Sequence, residues 1–434
     1  MSTFSPDKSK LYRLPYSMND NPIGWIEATD ICNIKCKGCY RLVMGEGHKP
    51  LEKIKEEILF LRKWRNCDNI SLAGGEPILH PNIKEIVAFI SSLGMKSVIL
   101  TNGLALNDEI MRELKGAGLL GFSFHIDITQ TRPEFKKLQL KSELQLNELR
   151  LKYAKMLKKY GFYAHFGITV TPDNLHEVPE LIRWAKDNIL MINGISLIIY
   201  RGMPVMEGVH YFVRGKEVDM KLGKLGYTID QVEYEGVKVK AQDVYSVIKQ
   251  AFPDYEAMGY LGGTADHESF KWLWGSLLTN SKGVTFGALG NKTLELAQAV
   301  YHFTNGHYLV YPKRRIGKMV FLMSLFDPMV RKAFWKFLKY CLANPLRFFY
   351  PMKSLGIGMV QAPDLLEDGR IDMCDDCPDM CVFEGRLVNS CRLDECRIYG
   401  DLLTIQVDDG VLDMKESSGL EKANDKTGSS VGLS

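Results

Sequence analysis

From residue 24 to residue 202 the chain alternates two hydrophobic periods. Short runs of apolar and alternating residues at 24–30, 69–75, 96–103, 121–129, 162–171 and 192–202 read as strands. The stretches between them, 51–66, 81–94, 107–118, 141–161 and 174–187, carry apolar residues at three- and four-residue spacing and read as helices. The second opens on Pro81 and closes on Gly94, and Asn107 is placed to cap the third. Six strands alternating with helices predict a parallel sheet, either open or curled into a partial barrel.

The faces of the strands decide between the two. In 121–129, Phe122, Phe124, Ile126 and Ile128 share one face, and Ser123, His125 and Asp127 share the other. In 162–171, Ala164, Phe166, Ile168 and Val170 oppose Tyr163, His165, Thr169 and Thr171. A doubly wound sheet is covered on both faces and favours uninterrupted apolar strands. One polar face predicts instead a barrel whose interior is solvated or filled by a ligand. Antiparallel strands with a wet face would show the same alternation, but the intervening helices argue for parallel ones. His125, Asp127 and His165 are thereby expected to line the interior near its mouth, where they could position substrate or transfer protons. A purely structural polar layer is the plain alternative.

After residue 202 the pattern weakens. Residues 217–240 read as a hairpin pair, and 241–255 and 291–304 as helices. The end, 411–434, is polar and rich in Gly and Ser, which predicts disorder. Residues 313–353 stand out: ten Lys or Arg face one acid, Asp327, with nine aromatics interleaved. Within it, Val330, Phe334, Phe337, Leu338 and Cys341 share one helical face, with Lys332, Lys336 and Lys339 away from it. This fits a core-facing helix with a solvated basic face, or an interfacial helix lying on a membrane with Phe334, Phe337 and Leu338 inserted and Trp335 at the edge. From its place before the last cysteines, such a segment could also guide an apolar chain toward the active mouth.

The composition narrows the class. Of 434 residues, 46% are hydrophobic and 25% charged, the make-up of a globular chain. The net charge of +3 gives no global argument for nucleic acid as a partner, and none is expected. The polar start MSTFSPDKSKLYRL lacks the apolar region of a secretion signal, and no run of about 18 uncharged apolar residues occurs, so a cytoplasmic protein is expected. Ten cysteines in such a chain point to metal or redox chemistry rather than disulfides.

Those cysteines are clustered. Cys32, Cys36 and Cys39 lie in CNIKCKGC directly after the first strand. Cys374, Cys377, Cys381, Cys391 and Cys396 form a second group, while Cys67 and Cys341 stand alone and read as small buried hydrophobes. Loops after the strands of a β/α barrel build its active face. Three thiolates on a four-iron cluster leave one iron open, whereas a structural zinc site needs a fourth ligand, for which Cys67 is nearest in sequence.

CNIKCKGC, the Gly74–Gly75–Glu76–Pro77 run after the second strand and the Thr101–Asn102–Gly103 turn after the third together resemble the radical S-adenosylmethionine (SAM) superfamily over about residues 21–202. The resemblance implies a partial (β/α)6 TIM-like barrel with a C-terminal cysteine-rich extension. It implies a [4Fe–4S] cluster on Cys32, Cys36 and Cys39, and SAM held by the open iron and by Gly74, Gly75, Glu76, Pro77, Thr101 and Asn102. Many members carry an aromatic just before the third cysteine; here Gly38 stands there and Tyr40 follows, making Tyr40 the candidate adenine contact. The implied activity is reductive cleavage of SAM to a 5′-deoxyadenosyl radical that abstracts hydrogen from substrate, fed by a donor such as flavodoxin or ferredoxin.

The second cysteine group is similar to the auxiliary-cluster extensions (SPASM and Twitch) of many such enzymes, and implies a second iron–sulfur cluster among Cys374, Cys377, Cys381, Cys391 and Cys396. A zinc knuckle fits its CxxC unit equally well, and which four bind stays open. The EGRLV between them reads as a hairpin turn and strand. The chain thus divides into an N-terminal extension (1–20), a core barrel (21–202), an α+β insertion or second module (203–312), the basic aromatic segment (313–353), an auxiliary-cluster region (354–410) and a tail (411–434). A lipid-like substrate taken from a membrane surface is the first expectation. A peptide substrate is the second, and a non-catalytic metal-binding scaffold the third.

Overall fold

After a two-residue strand β1 (Tyr12–Arg13), the alternation materialises as β2 (Ile23–Thr29), α1 (Leu51–Arg65), β3 (Asn69–Gly74), α2 (Ile83–Ser92), β4 (Lys96–Thr101), α3 (Asp108–Gly116), β5 (Gly121–His125), α4 (Asn147–Tyr160), β6 (Tyr163–Val170), α5 (Val178–Asp187) and β7 (Gly194–Ile199). The structure, a computed structural model, describes residues 4–137, 140–220, 225–230, 239–312, 315–409 and 411. The six strands β2 to β7 pair in parallel in chain order, as a partial barrel requires.

The apolar strand faces turn outward. Ile26, Leu72, Ile99, Phe122, Phe124, Phe166 and Ile168 are buried with Ile54, Ile58, Ile86 and Leu157 of the covering helices. Phe124 sits between Tyr153 and Phe166 at ring distances of 4.8 and 5.6 Å. The polar faces turn inward, where the Ser123 hydroxyl and the His165 Nδ1 lie 2.9 Å apart across neighbouring strands.

Several sequence expectations change in the structure. The fourth strand stops at His125 instead of 129, because Asp127 turns its carboxylate onto the Thr129 N–H and the Gln130 amide caps the His125 carbonyl. The helix expected over 141–161 opens as a 3-10 turn, Glu143–Leu146, with Ser142 and Gln145 in a capping box, and closes on Gly161 at φ 68°. Of the hairpin pair expected over 217–240, the described strands pair elsewhere: Lys216–Val218 with Val209–Val213, and Thr228–Asp230 with Met203–Val205. Parts of that stretch, 221–224 and 231–238, lie outside the described residues, as does nearly all of the 411–434 tail.

The boundary drawn at 202 is no edge of the sheet. After α6 (Ala241–Ala251), strands β8 (Ala257–Leu261), β9 (Trp272–Asn280) and β10 (Thr285–Ala288) precede α7 (Asn291–Asn305), α8 (Pro328–Ala343) and β11 (Met352–Gln361). Strand β11 lies parallel beside β7, with Gly356 opposite Gly194 and Gln361 opposite Ile199. On its other side β9, β8 and β1 continue the same sheet. The indole of Trp274 lies over Gly356 and Gly358, where a Cβ would come within 3.0 and 2.6 Å of it. A C-terminal hairpin, β12 (Met380–Phe383) and β13 (Arg386–Asn389), turns on Glu384 and Gly385 at φ 47° and 75°, where EGRLV predicts it. Strand β12 packs against β2, the free edge of the barrel, and is followed by α9 (Leu393–Tyr399).

Candidate functional site

The loops after β2, β3 and β4 meet at the C-terminal end of the barrel. Gly74, at φ 116°, and Gly75 run so close to the first loop that a Cβ would lie 2.4 Å from the Thr29 carbonyl and 2.3 Å from that of Ile31. Their approach is fixed by Gly75 N–H to Thr29 and Glu76 N–H to Ile31, each at 2.8 Å. The buried Glu76 carboxyl accepts from the Thr101 hydroxyl and the Asn102 N–H, both at 2.7 Å, and from Ile78 N–H at 3.2 Å. Burial pushes its pKa up to about 7 despite those donors. The Asn102 amide then reaches Asn33 at 2.7 Å, inside the cysteine loop.

Cys32, Cys36 and Cys39 are half-buried on that loop. Burial raises all three thiol pKa values. Cys36 is raised further by Cys39, Asp127 and Cys32. Three thiolates gathered here would therefore need a cationic group among them. The loop is held from the far side by residues after β5. Cys36 bridges Gln130, Lys37 N–H donates to Thr129, and Thr131 both accepts from Lys35 N–H and donates back. The fully buried Arg132 ties this segment to the Asn102 carbonyl at 2.6 Å and to the Tyr153 hydroxyl at 3.0 Å. Gly38, at φ 68°, lets Tyr200 lie against the loop, since a Cβ there would stand 2.1 Å from its ring.

Residues 26–185 match the family model described as Radical SAM superfamily. The chain carries a radical SAM domain. Similar curated proteins include the Fe-coproporphyrin III synthase of Methanosarcina barkeri, 26% identical over 46% of this chain and 50% of that protein. The subtilosin biosynthesis protein AlbA of Bacillus subtilis is 26% identical over 37% of this chain and 36% of that protein. The chain spans about half the length of the first curated relatives it matches. A solved structure, native anSMEcpe with bound AdoMet and a Cp18Cys peptide, aligns with 53% of this chain and 58% of that one at 15% identity and a TM-score of 0.36. The family uses a [4Fe–4S] cluster together with SAM, and its SPASM-type members carry further clusters.

Within the radical SAM domain, two of the three interior candidates meet. His125 Nε2 lies 2.6 Å from Asp127 Oδ2, and the Thr169 hydroxyl donates to the same carboxylate at 2.6 Å. Burial opposes charge on both partners, yet each charge favours the other: the His125 pKa is raised and Asp127 is held well below the usual carboxylate range. His165 does not join them. Its ring is buried between the Ser123 and Ser196 hydroxyls at 2.9 and 3.2 Å, and burial pushes its pKa down to about 4. Below the ordinary histidine value the unfolded chain binds a proton that folded His165 refuses, so stability falls as the pH is lowered. Between pH 7 and pH 5, urea unfolding should show the wild type losing about 2 kcal/mol more than His165→Gln.

Tyr40 faces the barrel wall. Its hydroxyl donates to Glu27 at 3.2 Å and its ring meets Trp25 edge-on at 6.4 Å. Glu27 also accepts from the Trp25 indole at 2.7 Å and pairs with Arg41 at 3.2 Å. Glu27, Asn33, Arg41, Gln130 and Arg132 were not among the sequence candidates. Trp25 and Glu27, two apart on β2, share one face of the strand and are the one local signal for these residues; the others act through contacts distant in sequence.

The five C-terminal cysteines separate. The Cys374 thiol donates to Cys377, which raises the first pKa and lowers the second, and Cys391 is raised by burial and by Cys377 beside it. Cys381 turns away. Its sulfur donates to the Val388 carbonyl at 3.3 Å and packs with Trp25, Ala73 and Leu393. Cys396 lies 3.9 Å from an Arg386 nitrogen. Cys67, the candidate fourth zinc ligand, is buried just ahead of β3, at the opposite end of the barrel from Cys32, and donates to the Leu61 carbonyl. Among the described residues no three His, Cys, Asp or Glu side chains close around one ion. A cluster, by contrast, takes each thiolate on a separate iron.

Proposed function

We propose that the chain is a radical SAM enzyme, with Cys32, Cys36 and Cys39 holding a [4Fe–4S] cluster and the Gly74–Pro77 and Thr101–Asn102 loops holding SAM beside it. The observation that carries this reading is the junction of three loops at the strand ends, where three half-buried thiols face a backbone that only glycine lets approach. Bound there, cluster and SAM would supply a 5′-deoxyadenosyl radical once a donor such as flavodoxin or ferredoxin delivers an electron. The chain's own work is orientation. Glu76 fixes the third loop against the second, Asn102 fixes it against the first, and Tyr40 with Glu27 braces the wall. The His125–Asp127 pair holds a proton on the interior face where substrate would lie, and His165 serves as a neutral polar support below it.

A peptide is the substrate class supported by AlbA, whose name ties it to bacteriocin biosynthesis. The lipid-like reading rested on the basic aromatic segment feeding the mouth. That segment packs where β11 begins, at the N-terminal ends of the parallel strands, so this support falls away. The test is anaerobic reconstitution with iron and sulfide, then assay for 5′-deoxyadenosine with a strong reductant. No product from a loaded protein would favour the non-catalytic scaffold.

For the second group we assign Cys374, Cys377 and Cys391 as ligands of an auxiliary cluster. Replacing any of them with Ser should lower bound iron by about four atoms per chain, while Cys381→Ser and Cys396→Ser leave it unchanged. Iron lost from the Cys396 variant would refute this assignment, and so would one zinc per chain in place of iron and sulfide.

A further inference from the structure

The face of α8 expected to meet a membrane is buried in the protein itself. Val330, Ala333, Phe337 and Cys341 pack on Phe286, Phe321 and Met352, with Phe334 against the same cluster. Other apolar side chains take its place at the surface. The 3-10 helix Lys318–Leu325 lies on one side of α8, through Phe321 on Phe337 at 4.8 Å, and the 3-10 helix Pro345–Phe349 on the other, through Phe348 on Phe337 at 6.1 Å. Lys318 sits over the Phe348 ring at 4.7 Å and joins the two. From this three-part platform Leu325, Phe326, Leu342, Leu346 and Phe349 protrude with 70–74% of their surface exposed. Soluble surfaces rarely gather so many large apolar side chains.

Charge identifies what covers them. Residues 317–353 contain seven Lys or Arg and one acid, Asp327. That acid is fully buried, capping α8 at Met329 and Val330 and holding the start of α7 through Thr293. Arg331, Lys332 and Lys339 stand exposed beside the apolar stripe of Trp335 and Leu342, while Lys336 pairs with Asp254. Protruding apolar side chains ringed by cations suit a fluid, negatively charged surface better than a grooved protein. No helix among the described residues is long and apolar enough to cross a membrane.

We propose that this platform docks the protein peripherally on an anionic lipid bilayer. The platform surrounds the start of β11, where Met352 pairs with Asn280 beyond the N-terminal end of β7. The cysteine loops lie about 20 Å away across the length of the strands. Docking therefore fixes the protein at a membrane with its reactive mouth turned from the lipid, and does not feed lipid into the barrel.

The experiment is co-sedimentation of the full-length protein with vesicles of phosphatidylcholine, alone or with phosphatidylglycerol, at low and high salt. Wild type should pellet with the anionic vesicles, less so at high salt. Binding should fall by about tenfold or more in Lys332→Glu/Lys339→Glu and in Leu325→Ser/Phe326→Ser. These positions are exposed, and unchanged melting would show that both variants fold. The Cys32→Ala/Cys36→Ala/Cys39→Ala variant should bind like wild type, so failure of the radical SAM reading leaves this result untouched. No pelleting of wild type, or equal pelleting of wild type and both variants, overturns the proposal. So does a dimer that Leu325→Ser/Phe326→Ser makes monomeric, because the platform would then cover a second copy.

Discussion

Replacing Cys32, Cys36 and Cys39 together with Ala should abolish 5′-deoxyadenosine formation and remove about four irons per reconstituted chain. The effect is all-or-none because the three thiols are the donors gathered at the loop junction, and no protein group in the described structure replaces them. The fold should survive. All three are only half-buried, and their loop is held by backbone contacts to Thr129 and Gln130 and by the hydrogen bond from the Asn102 amide to Asn33. Iron at the C-terminal cysteines should remain, since Cys374, Cys377 and Cys391 lie with their own neighbours. Iron and sulfide analysis with product detection checks both halves. Undiminished 5′-deoxyadenosine in this variant would remove the basis of the proposed function.

The parts of this site that could be read in the sequence are those whose chemistry is local. CNIKCKGC sits on one loop, Gly74 and Gly75 are required by one close approach, and Thr101–Asn102 turns at one strand end. Strand alternation likewise placed His125 inward because a period of two leaves no other option for the register, whereas Asp127 meets it from the turn that follows the strand. It failed one residue run later, where the Asp127 carboxylate made a turn that hydrophobic pattern does not encode. Strand β11 was missed for a different reason. Its neighbour β7 lies some 150 residues earlier, and MKSLGIGMVQ carries glycines that make room for Trp274 rather than a strand signature. On α8 the helical period was correct, but the segment carries two apolar stripes. Which one faces the core depends on Phe286 and Met352, which periodicity cannot supply.

The strongest stability effect should come from Asp394, a residue no motif marks. Its carboxylate is fully buried and pairs with Arg41, takes Arg397 at 2.6 Å, and accepts the Leu42 N–H at 2.7 Å. Arg41 in turn reaches Glu27 in the barrel, and Arg397 reaches Asp30 at 3.3 Å, whose other oxygen accepts from Met44 and Glu46. One helical turn of α9 thus fastens the C-terminal region to the chain that follows Cys39. Removing the carboxylate leaves two guanidinium groups, with 6% and 8% of their side chains exposed, short of an anion. Breaking a buried pair in this way costs roughly 3–5 kcal/mol. Asp394→Ala should therefore lose that much in urea unfolding. It should also weaken SAM binding to reconstituted protein, because the 41–46 segment loses its anchor beside the third cysteine. Asp394→Leu combined with Arg41→Met should cost less than the sum of the two single changes, since the double variant leaves neither charge of that pair buried against a missing partner. If the two single losses simply add, the bridge does not couple the C-terminal region to the cysteine loop.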